Sequence, residues 1–300
     1  MPVTPPDRTD RTALAAGIGC YVLWGVFPLF WPLLGAASPV EVLAQRIVWS
    51  CVAAGLAMVV LRQSWDWLAK LRGRTLLLLV AASAVIAVNW GTFIYAVNTN
   101  HVVESSLGYF INPLVNLVLG RVLFGERLDR MGRVGAVLAL IGVVVISIGN
   151  WRTLWISLLL AGSFGIYGAL KKTVRIAPLP GLFVESGLML VPSLIFLVIW
   201  EGQGRGHFVS PLWWLFIAGG VLTMVPLWLF AVGARGLPLG TLGILQYIGP
   251  TMQFLLGLIV FGQNVSLGYW VGIVIVWLGC ACYVAGMWWR ARRARLLPLG

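Results

Sequence analysis

Charged residues are scarce in this chain: Asp, Glu, Lys and Arg make up only 10% of its 300 residues. Soluble domains carry about 25% charged residues. A soluble chain of this length needs more polar surface than this composition supplies, so a soluble globular protein is excluded. The chain is instead 60% hydrophobic with a mean hydropathy of +0.94, which is typical of an integral membrane protein.

Groups that carry out catalysis or bind metals are also few. The only histidines are His101 and His207, and no Ser–His–Asp arrangement or Asp-rich cluster occurs. An enzyme acting on a lipid-linked substrate needs such clusters, so the sequence favours a protein that is not an enzyme. The four cysteines lie in apolar runs without metal-ligand spacing, and no Gly-rich loop ending in Lys-Ser/Thr is present. We therefore expect no metal, no cofactor and no ATP binding.

Long apolar runs are abundant. A membrane-spanning helix needs about 20 apolar residues, and ten segments meet this requirement. They lie at roughly 12–35, 42–61, 75–97, 104–124, 131–149, 153–170, 181–200, 211–232, 240–261 and 268–289. The sequence thus predicts an all-α integral membrane protein with ten transmembrane helices and a lipid bilayer as its surroundings.

The net charge of +12 lies in short clusters between these runs, which indicates membrane topology and not a nucleic-acid-binding surface. Cytoplasmic loops of membrane proteins are rich in Lys and Arg. If the N-terminus is cytoplasmic, all 21 basic residues except Arg46, Arg152 and Arg205 fall on the cytoplasmic side. We expect a bacterial inner-membrane protein with both termini in the cytoplasm.

The chain contains an internal repeat. Shifting the sequence by 137 residues aligns residues 107–149 without gaps. Pro113 then falls on Pro250, Phe124-Gly125 on Phe261-Gly262, and Gly135, Gly142 and Gly149 on Gly272, Gly279 and Gly286. Two five-helix repeats, 1–150 and 151–300, follow. Because five is odd, the second repeat enters the membrane from the opposite side, which is the inverted-repeat plan of secondary transporters.

Several runs carry a family resemblance. Residues 104–116 (ESSLGYFINPLVN), residues 241–251 (TLGILQYIGPT), Phe124-Gly-Glu-Arg127 and the early Arg46 resemble RarD-type proteins of the EamA group, in the drug/metabolite transporter superfamily. The resemblance implies an inner-membrane exporter or permease for a small organic solute. The chain departs from the pattern at Gln263, where a Glu commonly follows the second Phe-Gly pair.

Polar residues inside the spans are candidates for the solute site, because polar groups in membrane helices usually face a cavity or the bundle interior. Tyr109, Asn112 and Asn116 share one face of the fourth helix. Their repeat partners in the ninth are Gln246, Gly249 and Gln253. These amides can bind a neutral or zwitterionic solute, or they can join helices by hydrogen bonds; the sequence leaves both readings open.

Two prolines and two charged residues occupy matching places in the halves. Pro113 and Pro250 interrupt helix hydrogen bonding, so they act either as hinges for alternating access or as static bends. The sequence leaves three roles open for Arg46 and Glu185. They form an ion pair with each other, they bind a charged solute, or they have a structural role in which Arg46 extends to the lipid headgroups.

Further residues extend these candidates. Asn89, Trp90 and Tyr95 in the third helix, and Trp24 and Tyr167 in helices one and six, are placed to line the same cavity. Glu185, Glu104 and His101 are the candidates for coupling to protons. The Phe-Gly-Glu-Arg turn is interpreted as a topology signal that can also close the inner side. Proton coupling and a homodimer stay open.

The leading hypothesis is a secondary transporter of a small organic solute. The alternatives are a membrane enzyme acting on a lipid-linked substrate, and a channel or scaffold that does not transport; no filter-like motif supports a channel.

Overall fold

The computed structural model describes residues 11–99, 101–148, 154–262 and 266–296, and within them it shows helices joined by short connections. The α-helices are α1 (Arg11–Val26), α2 (Pro39–Val60), α3 (Gly73–Asn98), α4 (Val102–Phe124), α5 (Arg130–Ser147), α6 (Leu154–Thr173), α7 (Pro178–Gly202), α8 (Trp213–Gly236), α9 (Leu239–Gln246), α10 (Ile248–Ile259) and α11 (Leu267–Leu296). Ten helical spans among the described residues are long and apolar enough to cross a membrane. The prediction of a ten-helix, all-α membrane protein is confirmed.

Proline shapes the first span differently from the prediction. The α-helix ends at Val26, and two short 3₁₀ helices, Phe27–Leu29 and Trp31–Leu34, follow it where a helix to residue 35 was expected. Pro28 and Pro32 lie at the starts of these two turns, and proline is tolerated there because the first N–H groups of a helix have no partner.

Proline also divides the ninth span. α9 ends at Gln246 and α10 begins at Ile248, with Tyr247 between them. Pro250 has no N–H to bond the carbonyl of Gln246, four residues earlier, and its ring crowds that carbonyl. Its repeat partner Pro113 lies inside the continuous helix α4. The equivalent prolines therefore have different structural effects.

Side-chain caps fix several helix ends. The Oγ of Ser38 accepts a hydrogen bond from the N–H of Glu41 (3.2 Å) at the start of α2, and Oδ1 of Asp129 accepts one from the N–H of Gly132 (2.8 Å) at the start of α5. Gly125 ends α4 in a left-handed conformation (φ 67°) that favours glycine. This sharp end turns the chain back toward the bundle at Glu126.

Helices α5 and α11 pack backbone to backbone through repeat-related glycines. A Cβ on Gly135 would lie 2.5 Å from the carbonyl oxygen of Gly279, and a Cβ on Gly142 would lie 2.6 Å from that of Gly272. Any side chain at these positions would force the helices apart. The 137-residue shift carries Gly135 to Gly272 and Gly142 to Gly279, so it converts each contact into the other.

The same exchange holds for whole helices. α1 packs on α8, and the equivalent helices α6 and α3 pack on each other. α2 packs on α8, and the equivalent pair is α7 with α3. α4 packs on α6, and the equivalent pair is α10 with α1. The pairs α2–α7, α4–α9 and α5–α11 join equivalent helices directly. Contacts of this kind are expected of two halves related by a two-fold axis.

Candidate functional site

A cluster of buried amides lies where α4 meets α9. The Nδ2 of Asn116 is 3.0 Å from Oδ1 of Asn112 and 3.3 Å from Oε1 of Gln246. The two asparagines lie one turn apart on the same face of α4. The close approach depends on Gly243, where a Cβ would lie 2.9 Å from the carbonyl oxygen of Pro113. The cluster joins equivalent helices of the two predicted repeats.

Helix α6 completes this cluster. Nδ2 of Asn112 donates to the carbonyl of Ala161 (2.9 Å), whereas the buried Oδ1 of Asn116 has no hydrogen-bond partner among the described residues. Gly165 and Gly168 of α6 leave the space beside that oxygen, since a Cβ there would lie 3.5 Å and 3.8 Å away. A buried acceptor without a partner is costly, so Asn116 retains unused bonding capacity at the centre of the bundle.

Other predicted site residues bond backbone groups nearby. Asn89 Nδ2 donates to the carbonyl of Leu160 and to Oγ of Ser163, both at 2.9 Å, and Gln253 Nε2 donates to the carbonyl of Trp24 (3.0 Å). The ring of Trp24 lies edge-on to Phe164 with centroids 5.6 Å apart. In this conformation these amides join helices; their contact with a solute stays a prediction.

Glu185 is bound within its own half of the chain. Its Oε1 accepts from Nζ of Lys171 (2.8 Å) and its Oε2 from the hydroxyl of Tyr167 (3.0 Å), and all three side chains are buried. Tyr167 also stacks on Phe230. In the sequence, Lys171 fits a topology signal and nothing more. The signal for this pairing was available, because a buried carboxylate needs a cation and Lys171 lies one helical turn from Tyr167.

Arg46 lies elsewhere, in an aromatic environment, and it does not pair with Glu185. Its Nε donates to Oγ1 of Thr223 on α8 (2.8 Å). The guanidinium carbon is 4.5 Å from the centre of the Trp31 ring and 5.8 Å from that of Trp90. Tyr109, which is 39% exposed, interacts with Arg46 electrostatically. Arg46, Trp31, Trp90, Tyr109 and Thr223 are called the Arg46 site below.

Polar contacts close one end of the bundle. This end holds the α4–α5, α6–α7 and α8–α9 connections and is called the basic end. Glu126 accepts hydrogen bonds from the N–H groups of Leu239 (2.7 Å) and Gly240 (3.0 Å), and its Oε1 is 3.7 Å from Nζ of Lys172. A carboxylate at a helix N-terminus is favoured by the free N–H groups and the helix dipole. The Lys172 ammonium also bonds the carbonyl of Leu237. These contacts join the α4–α5 turn to α9.

The remaining candidates lie at the opposite end, called the far end. Nδ1 of His101 is 2.8 Å from Oγ1 of Thr99, and His207 bonds the buried Glu41 through its backbone N–H (2.7 Å) and Nδ1 (3.0 Å). Tyr95 stacks on His101. The side chain of Glu104 and all of Gln263 lie outside the described residues.

Comparisons with known proteins agree with this architecture. A profile of the EamA-like transporter family matches residues 11–148. The chain is 43% identical to protein RarD of Streptomyces exfoliatus, over 96% of this chain and 92% of that protein. It is 33% identical to an uncharacterized transporter of Vibrio cholerae, over 92% and 93%. A solved crystal structure superposes with a TM-score of 0.71 at 17% identity, covering 91% of this chain and 97% of that one, and shows the same fold.

Proposed function

Because this chain belongs to the EamA-like transporter family, we propose that it is a secondary transporter that moves a small organic solute by alternating access. Family membership and ten apolar spans make it a multi-pass bacterial membrane transporter. The mechanism, the export direction and the solute belong to the proposal.

The interchange of helix contacts supports two inverted halves, 1–150 and 151–300. The main contacts between the halves have equivalents with the roles reversed, as in α1–α8 and α6–α3. Two such halves can exchange conformations, so that a site between them opens first to one side and then to the other.

The observation that carries the proposal is the set of polar contacts that joins the two halves at the basic end. At the basic end Glu126 and Lys172 join the halves directly. At the far end Glu41 and His207 also join the halves, and the Arg46 site leaves a half-buried arginine and an exposed phenol. We propose that these contacts hold the basic end closed in this conformation. Return to the other state would require the Glu126 contacts to break, and we propose that the interruption before Pro250 is the hinge within α9–α10.

The same picture assigns roles to the other residues. We place the amide cluster of Asn112, Asn116 and Gln246 at the base of the solute pathway, where it joins the halves and offers the unpartnered oxygen of Asn116 to a solute. Glu185 is the proposed proton carrier, because protonation would release Lys171 and Tyr167. A homodimer is a further prediction, which light scattering of the purified protein would test.

Counterflow in proteoliposomes tests the transport proposal. We expect internal unlabelled solute to drive uptake of the labelled form for at least one member of a broad metabolite and antibiotic panel. Asn112→Ala and Gln246→Ala should reduce that exchange. Absence of solute-dependent flux across the panel would contradict the proposal, and exchange unchanged in both variants would contradict the site.

The orientation is tested separately. The positive-inside pattern predicts that the basic end faces the cytoplasm. Cysteines introduced at Arg130 and at Arg205 should react with a membrane-impermeant maleimide in intact cells only at position 205.

A further inference from the structure

We propose that the Arg46 site binds the carboxylate of a monoanionic organic solute whose flat apolar body lies against Trp31 and Trp90. This inference rests on the proposed transport function and names the solute class that the site fits.

The guanidinium of Arg46 is held at one edge and has unused hydrogen-bond donors at the other. The Thr223 hydroxyl donates to the carbonyl of Gly219 (2.7 Å), so its oxygen is left to accept from Nε of Arg46 (2.8 Å). Thr223 thereby holds one edge of the guanidinium in place. In the described part of the chain the two Nη groups donate no hydrogen bond, although an Arg has five N–H donors in a fixed plane. The Nη edge can bind a carboxylate through two parallel hydrogen bonds.

The described residues around Arg46 supply no negative charge to pair with it. The acidic side chains that the structure describes are all engaged elsewhere or distant from Arg46: Glu41, Asp66, Glu126, Asp129, Glu185 and Glu201. No carboxylate of this group forms an ion pair with Arg46. A charge inside a membrane protein is costly without a counter-charge, so an anionic solute would supply what the described residues do not.

Two tryptophan rings give the Arg46 site a flat apolar surface. The Trp31 ring lies 4.5 Å from the guanidinium carbon and the Trp90 ring 5.8 Å from it. Stacking on aromatic rings holds Arg in a plane while its edge stays free, and the same rings provide flat apolar surface beside the anion. Because the described residues place no carboxylate there to receive an ammonium group, the site favours a monoanion over a zwitterion with the same skeleton.

Four probes separate these features: 3-phenylpropionate, its neutral amide 3-phenylpropionamide, the zwitterion phenylalanine, and inorganic phosphate. Thermal unfolding of the purified transporter is measured with each at increasing concentration. We expect 3-phenylpropionate to raise the melting temperature and to bind at least about tenfold more tightly than the other three. The amide lacks the carboxylate, phenylalanine adds an ammonium group that no described carboxylate receives, and phosphate lacks the flat apolar body.

Arg46→Gln should abolish the response to 3-phenylpropionate. Arg46→Lys, which keeps the charge but loses the two-pronged geometry, should retain only a small part of it. The matched control is Arg205→Gln. Arg205 also stacks on a tryptophan, 5.3 Å from the centre of the Trp200 ring, but lies exposed in the α7–α8 connection. This control should respond like the unaltered protein.

Several results would overturn the inference. They are an equal response to the amide or to phenylalanine, an equal response to phosphate, no response to 3-phenylpropionate, or a response that survives in Arg46→Gln. Counterflow distinguishes this failure from failure of the transport proposal. If 3-phenylpropionate exchanges equally in the unaltered protein and in Arg46→Gln, transport stands and the anion site falls. If no solute exchanges at all, both fall.

Discussion

The basic end and the Arg46 site differ in how their charges are used. At the basic end, Glu126, Lys172, Lys171 and Glu185 all have charged partners or bond free backbone groups. In the Arg46 site, toward the far end, a cation has one neutral hydrogen-bond partner and two aromatic neighbours. The first arrangement stabilises a closed conformation, and the second leaves bonding capacity for a solute. The comparison predicts that substitutions at the basic end act on stability and conformation, and those at the Arg46 site on binding.

The largest expected effect is on the buried ion pair. Lys171→Met leaves the Glu185 carboxylate buried without a cation, which should lower the free energy of unfolding by about 3–5 kcal/mol. Lys171→Met combined with Glu185→Leu removes both charges and should recover most of that loss. Denaturant unfolding in detergent micelles measures both variants. A single variant as stable as the unaltered protein would show that the pair is not buried as described.

The next effect concerns the closure at Glu126. Glu126→Ala removes the two bonds to the start of α9 and should weaken the closed state by about 1–2 kcal/mol. A cysteine introduced at the buried Thr241 then reports opening, because maleimide labelling should rise about 5–30-fold. Arg127→Ala in the same turn is the matched control and should change labelling little. Equal labelling in all three backgrounds would contradict closure by Glu126.

Glu126→Gln sharpens the comparison between the repeats, since glutamine is the residue at the equivalent position, 263. The amide keeps one acceptor oxygen but loses the charge that favours a helix N-terminus. We expect labelling at Thr241→Cys between that of the unaltered protein and that of Glu126→Ala. Labelling equal to that of Glu126→Ala would assign the whole effect to the charge.

A smaller effect is expected at the amide cluster. Hydrogen bonds between membrane helices contribute about 0.6 kcal/mol on average. A double-mutant cycle with Asn116→Ala and Gln246→Ala should therefore give a coupling energy of about 0.5–1 kcal/mol in unfolding measurements. Strictly additive effects would show that the 3.3 Å contact contributes nothing.

A similarly small effect on stability should come from Thr223→Val. It removes the acceptor for Nε of Arg46 while keeping the shape of the side chain, so we expect a loss of about 0.5–1.5 kcal/mol at most. Binding of 3-phenylpropionate should weaken by a larger relative amount, because the guanidinium is no longer held in position. A loss of stability as large as that of Lys171→Met would contradict the contrast between the two regions.

The amino-acid sequence predicts the spans well because hydrocarbon thickness sets their length and apolar side chains mark them. Local chemistry modifies the details, as at Pro28 and Pro32, where the first helix ends early. Pro113 and Pro250 look alike in sequence, yet only Pro250 lies beside a helix break. That difference depends on packing against neighbours, which no local pattern reveals.

The candidate site, like the fold, can be predicted from the sequence only in part. The i, i+4 spacing of Asn112 and Asn116 predicts that they share a face, and they do. Their bonds to Ala161 and Gln246 depend on close approaches at glycines such as Gly243. The pairing of Lys171 with Glu185 is not predicted because a lysine near a helix end also fits a topology signal. The hydrogen bond from Arg46 to Thr223 is not predicted because the two residues are 177 positions apart in the chain.

The central claim is that the protein works by opening and closing its basic end. In a variant whose four native cysteines are replaced by serine, Glu126→Cys and Lys172→Cys can be joined by a short bis-methanethiosulfonate and released by reduction. We predict that the joined protein exchanges no solute in counterflow and regains exchange on reduction, while it still binds 3-phenylpropionate. Undiminished exchange by the joined protein would contradict the account.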